Sequence, residues 1–225
     1  MNYGKKRTRK REHELASKGT MIRKKFNVIF CKALLICFFA VVIGGGCSAF
    51  GVISGIIASA PSIEDIDATP TGYLTTVLDN QGNQTATLVA SGSNRKYVTI
   101  NEIPINLQHA FVAIEDARFY EHNGIDITGI VRAGITGITS GRFSQGASTI
   151  TQQLLKNNVF TDWTSESSFA DKMERKIQEQ YLAIQLEKVE DKDWILENYL
   201  NTINLGQNTL GVQAASQRYF NKDVS

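Results

Sequence analysis

The chain has 225 residues and a mass of 24.9 kDa, with 42% hydrophobic and 20% charged residues. That allows one domain of ordinary size plus an appendage, and it excludes collagen-like, low-complexity and wholly disordered chains. The net charge of +2 is unevenly placed: residues 1–26 carry ten Lys/Arg against Glu12 and Glu14, whereas residues 61–225 carry a net of −7. An acidic outer region lacks the basic surface that counterion release needs, which argues against nucleic acid as its partner.

From Ala33 to Ala60 the chain runs for 28 residues without a charge. About 20 apolar residues span a bilayer's hydrocarbon core, so this stretch reads as a single membrane anchor, with residues 27–60 as the anchor region. The basic tail before it (1–26) predicts a cytoplasmic N-terminus and an extracytoplasmic remainder. Ala58-Ser59-Ala60 resembles a signal-peptide cleavage site, but the apolar run is about twice the usual h-region. Cys47 follows three glycines without the flanking pattern of a lipoprotein site. Cys31, Cys37 and Cys47 all lie in or beside this segment, so the outer region owes nothing to disulfides or to thiolate-bound zinc.

Residues 61–104 read as a linker followed by a short β region. Tyr73–Leu78 and Gln84–Val89 flank Asp79-Asn80-Gln81-Gly82-Asn83, a hairpin signal, and Lys96–Ile100 is β-prone. From Ile105 the period becomes helical, with Leu107, Ala110, Phe111 and Ile114 on one stripe. Further helices are predicted at Ile127–Ile138, from Ser148 or Thr149 onward, at Phe169–Glu187 (stripe Met173, Ile177, Tyr181, Ile184), at Lys192–Ile203 and at Leu210–Tyr219. Ser140–Gly146 reads as a loop. Residues 105–225 thus form a mainly α domain.

Four clusters could carry chemistry. In Glu115–Gly124, two adjacent carboxylates point about 100° apart on a helix and would play different roles, with His122 as partner or cap. Glu115 ends an apolar stripe, so partly dry surroundings are expected. In Gly146–Lys156, a glycine, hydroxyls and a helix start offer N–H groups to an anion such as a phosphate. Thr149 with Gln152 has the capping-box spacing, and Thr149, Gln152 or Gln153, and Lys156 share a face. The bland alternative is an ordinary capped helix. In Lys172–Glu179, Arg175 and Glu179 have the spacing of a surface ion pair, but in the weaker orientation, which leaves another job open for Glu179. In Lys192–Asn201, Ile195, Leu196, Tyr199 and Leu200 make a core stripe.

Taken together and in order, the clusters resemble glycosyltransferase family 51, the peptidoglycan glycosyltransferase domain of class A penicillin-binding proteins and monofunctional transglycosylases. E-D-x-x-F-x-x-H-x-G is complete at Glu115–Gly124, G-x-S-T-I-T-Q-Q at Gly146–Gln153, R-K-x-x-E at Arg175–Glu179, and a Lys-led I-L-E-x-Y-L-N at Lys192–Asn201. The resemblance covers about residues 73–222. It implies a mainly α, lysozyme-like domain with a small β segment and a lobe dipping toward the bacterial cytoplasmic membrane. The implied substrates are lipid II and the undecaprenyl-pyrophosphate-linked glycan, joined by a β-1,4 bond with inversion.

Carried over residue by residue, Glu115 is the base and Glu179 the second essential carboxylate. Glu179 acts either through a divalent cation such as Mg or Mn or by holding the acceptor, and both stay open. Asp116, Phe119, His122, Gly146, Ser148, Thr149, Gln152, Gln153, Lys156, Arg175 and Lys176 fall at substrate-binding motif positions. Lys156, Ser148 and the helix start are the leaving-group candidates, and Asp116, His122 and Gln152 hold the site's shape. Cell-wall synthesis or division proteins are the implied protein partners.

Asp171, with Lys172 beside it, stands near where the family often has a basic residue, Asn221 stands where it often has Gly, and the sequence stops at Ser225, before the family's closing helices. This predicts a C-terminally truncated domain with apolar surface uncovered near Leu210–Tyr219. Two other readings compete: a lysozyme-like glycan hydrolase and a catalytically silent membrane-anchored fragment.

Overall fold

A computed structural model describes residues 4–88, 94–141, 146–207 and 209–225. Part of the predicted 140–146 loop, and Val89 at the end of the predicted second strand, lie outside the described residues. The chain divides into two compact units, Met1–Gly55 and Ile56–Ser225.

The first unit is helical. α1 (Lys5–Ala16) carries much of the basic tail, and α2 (Lys18–Ala58) is one helix of 41 residues. Its stretch Met21–Ala58 is long and apolar enough to cross a bilayer. At 1.5 Å per residue the uncharged run alone reaches about 40 Å, more than the roughly 30 Å hydrocarbon core.

The second unit starts with chain that packs rather than links. Ala68 is buried, Ile63 and Ile66 rest on the core, and Asn158 donates to the Ala68 carbonyl at 2.7 Å. β1 (Thr75–Leu78) pairs antiparallel with β2 (Gln84–Leu88), with an irregularity at Val77/Leu78. Asp79 closes the turn by accepting from the amides of Gln81 and Asn83, both at 2.8 Å. Both strands are exposed on both faces.

Lys96–Ile100 is not a strand. The side-chain amide of Asn201 accepts from the Val98 amide at 3.0 Å and donates to its carbonyl at 2.8 Å, doing what a neighbouring strand would do. Glu197 takes the Ile100 amide and the Tyr97 hydroxyl.

Among the described residues six α-helices follow: α3 (Ile105–Glu115), α4 (Ile127–Ser140), α5 (Ile150–Asn158), α6 (Phe169–Val189), α7 (Lys192–Thr202) and α8 (Val212–Phe220). α7 is the central element, with Ile195, Leu196, Tyr199 and Leu200 at zero exposure, as the core stripe predicts. α5 packs on α6 and α7 and supplies Ile150, Leu154 and Leu155 to the same core.

Two stripes differ from expectation. On α3 the buried positions are Gln108 and Val112, while Ile114 is 81% exposed. Gln108 faces inward because it satisfies the Ile100 and Ile103 carbonyls. On α6 the buried face is Glu179, Leu182, Ala183 and Leu186, and Met173 lies outside. α4 is capped by Asp126 and leaves Ile127, Val131, Ile135 and Ile138 exposed along one side.

Candidate active site

α3 ends at Glu115, and Asp116 turns the chain out of the helix into the 116–124 loop. This loop returns through Gly124, whose φ of +87° suits glycine. A Cβ there would lie 2.5 Å from the backbone carbonyl of Ala183 on α6, so only glycine lets the loop lie against that helix. The freed Gly124 carbonyl accepts from the Thr149 hydroxyl at 2.7 Å and from Gln152 Nε2 at 3.4 Å, which joins the first motif to the start of α5.

Asp116 is buried and does two things. Its Oδ2 accepts the Ile150 amide, the first of α5, at 3.0 Å and lies 2.9 Å from His122 Nε2. Thr149 caps the Gln152 amide at 3.2 Å. Of the backbone N–H groups expected to meet a phosphate at the start of α5, those of Ile150 and Gln152 are engaged by the protein's own side chains. The capping box is half formed, because the Gln152 side chain reaches Gly124 and Lys176 instead of the Thr149 amide.

Behind the loop, Lys192 Nζ donates to the His122 carbonyl at 2.8 Å and to Glu187 at 2.6 Å, and sits 4.4 Å above the Phe119 ring. Phe119 has zero exposure. As a substrate-binding residue it is corrected: its ring is core, under a cation. Thr149 and Gln152 are likewise buried.

In front, Glu115 is exposed, which corrects the expectation of dry surroundings: its neighbour Ile114 points to solvent. Glu115 Oε2 accepts from Gln153 Nε2 at 3.0 Å, and Gln153 Oε1 lies 3.5 Å from the Tyr199 hydroxyl. Burial, and secondarily the Glu115 charge, push the Tyr199 phenol up and keep it protonated. A cavity of about 200 Å³ beside Glu115 is lined by Arg118, Asp126, Arg132, Gly146 and Ser148 among others. The Arg118 guanidinium holds the Asp126 carboxyl below the usual range.

Glu179 is not a surface partner. It is 1% exposed, with Arg175 Nη1 on one oxygen and Lys176 Nζ at 2.9 Å from the other. Lys176 also donates to Ser148 Oγ at 2.8 Å and Gln152 Oε1 at 3.2 Å, which ties α6 to the second motif. Arg175 Nε meets Glu166 at 2.7 Å. Burial opposes the Arg175 charge, but Glu166 and Glu179 more than offset it and raise its pKa. The Lys156 ammonium lies 4.4 Å from the Trp163 ring centre. Burial, helped by Lys176 and Arg175, lowers its pKa against the pull of Glu179 and Glu115.

Both Glu179 oxygens hold cations, so the residues present do not fit a divalent ion there. No group of three metal-ligating side chains occurs among the described residues. The sequence reading did not single out Glu187, Arg132, Trp163 or Glu166. Only Glu187 had a local signal, being eight residues, and so about two turns, beyond Glu179 on one α6 face.

Mainly helical, with a two-stranded segment before α3 and four motif regions joined by side-chain contacts, the second unit has the architecture of a peptidoglycan glycosyltransferase domain. The transglycosylase family profile matches residues 81–225. The chain is 43% identical over 229 residues to penicillin-binding protein 1A of Clostridium perfringens (strain 13), covering 96% of this chain and 32% of that protein. It is 36% identical over 227 residues to penicillin-binding protein 1A of Clostridium tetani, covering 99% of this chain and 26% of that protein. It is 45% identical over 148 residues to penicillin-binding protein 1F of Bacillus subtilis, covering 66% and 20% respectively. The chain belongs to the transglycosylase family, and it spans about a third or less of the length of these curated relatives.

Proposed function

We propose that this chain carries the lipid II-polymerising unit of a membrane-anchored cell-wall synthase. The observation that carries the reading is the pairing of an exposed, amide-oriented Glu115 with three cations, Lys156, Arg175 and Lys176, the last two held by the buried Glu179. Glu115 takes the proton from the acceptor's sugar hydroxyl as that oxygen attacks the donor's anomeric carbon. The carbon–oxygen bond to the pyrophosphate breaks on the opposite face, so the configuration inverts. The leaving group departs with the electron pair, and fixed cations aimed at that developing charge lower the barrier. Glu179 has both oxygens engaged and works by holding Arg175 and Lys176.

The topology follows the same reading: a cytoplasmic basic tail (1–26), an anchor (27–60), a lead-in (61–104) and the catalytic domain (105–225) outside. The exposed stripe Ile127, Val131, Ile135 and Ile138 on α4 supports a face that lies in the membrane interface, where a lipid-linked substrate resides. Incubation of the chain in detergent with lipid II, and separately with preformed glycan polymer, tests the function. Growth of polymer from lipid II is expected. Shortening of the polymer would make it a hydrolase, and no change in either would leave it a silent anchor.

A further inference from the structure

We propose that the short 3₁₀ segment Thr161–Ser165 and the Glu166 that follows it form a strap that positions two cations of the phosphate site. Trp163 and Glu166 are its positioning residues. The inference rests on the reading that Lys156 and Arg175 meet the donor's pyrophosphate.

The strap joins α5 to α6 and touches a cation on each. The Trp163 ring lies 4.4 Å from Lys156 Nζ, and Glu166 Oε1 lies 2.7 Å from Arg175 Nε. Neither residue belongs to any of the four motifs. The two contacts differ in kind. An aromatic face attracts an ammonium without neutralising it, so Lys156 keeps its charge for an incoming anion. Glu166 occupies the Nε edge of Arg175 while Glu179 occupies Nη1, and no described residue holds Nη2. The second oxygen of Glu166 is buried without a partner among the described residues, so Arg175 is the one cation those residues place on this carboxylate. Lysine and arginine are flexible, and immobilising each on binding would otherwise weaken affinity by about 2- to 10-fold.

The test titrates the chain in detergent with undecaprenyl pyrophosphate, using undecaprenyl monophosphate as the weaker-charged control. Trp163→Leu keeps an apolar side chain and removes the π face, and it should weaken pyrophosphate binding about 3- to 10-fold. Trp163→Phe should stay within about twofold, because a smaller π face remains. Glu166→Ala should weaken binding about 10-fold, with Glu166→Gln between it and the parent, because the amide oxygen can still accept from Nε. Melting temperatures measured alongside should stay near the parent for both Trp163 variants. Trp163 is 37% exposed, so its replacement leaves little core empty. Equal binding by Trp163→Leu and Trp163→Phe would overturn the positioning role of Trp163, and parental binding by Glu166→Ala would overturn that of Glu166. Lys156→Ala separates the two levels. If it alone weakens binding, the strap fails and the donor site stands; if it binds like the parent, the donor-site reading itself fails.

Discussion

Glu179→Gln separates a carboxylate that holds cations from one that handles substrate. The side chain is 1% exposed, with Arg175 on one oxygen and Lys176 at 2.9 Å on the other. The amide keeps the volume, but it removes the negative charge and turns one acceptor into a donor facing a cation. Removing one partner of a buried ion pair costs about 3–5 kcal/mol. Arg175 keeps Glu166 at 2.7 Å, and Lys176 keeps Ser148 and Gln152, so the loss should sit near the lower end, about 3 kcal/mol. For a unit the size of Ile56–Ser225, each kcal/mol shifts melting by about 2–4 °C, giving a fall of roughly 6–12 °C. Thermal unfolding of the chain in detergent near neutral pH, followed by circular dichroism, measures it, with undecaprenyl pyrophosphate binding recorded in parallel. Binding should weaken together with stability, because the cations lose their anchor. A melting temperature within about 2 °C of the parent, accompanied by lost polymerisation, would refute the reasoning and place Glu179 on the substrate.

Gly124→Ala should cost at least about 3 kcal/mol, from the left-handed backbone and a Cβ forced against the Ala183 carbonyl, and a melting curve checks it. Asn201→Ala strands the Val98 amide and carbonyl in the interior and should cost about 2–4 kcal/mol, readable by urea unfolding. The lowered pKa of Lys156 makes pyrophosphate binding fall with rising pH before an ordinary lysine would lose its proton, and Lys156→Arg should move that fall to higher pH. The sign for folding is opposite: in that window the unfolded chain holds the extra proton, so stability rises with pH.

The helices were legible where period and punctuation agreed. Asp126, Thr149, Ser168 and Asp191 each cap a helix that apolar spacing already outlined. The stripes on α3 and α6 depart from their apolar spacing because polar residues sit on their core faces. Gln108 is recruited by two buried carbonyls and Glu179 by two cations, and neither recruitment has a local signature. The supposed strand at Lys96–Ile100 had the right composition, but its partner is one side chain, Asn201, about a hundred positions away. The motif residues of the site were legible in order. Which of them face solvent was not: Phe119, Thr149 and Gln152 are buried, whereas Glu115 is exposed and Gln153 half-buried. Trp163 and Glu166 carry no local signal, because their contacts with Lys156 and Arg175 form only in the fold.

Polymerisation of lipid II by Glu115→Gln, with undecaprenyl pyrophosphate binding measured on the same sample, tests the assignment of the base most directly. The amide keeps the shape and can still hydrogen-bond Gln153 and the acceptor hydroxyl, but it cannot take the proton. Chain growth should fall by about 100- to 10,000-fold, the usual contribution of a general base, while binding stays within about twofold of the parent. Growth within tenfold of the parent would contradict the assignment, and so would a loss of binding that matches the loss of growth.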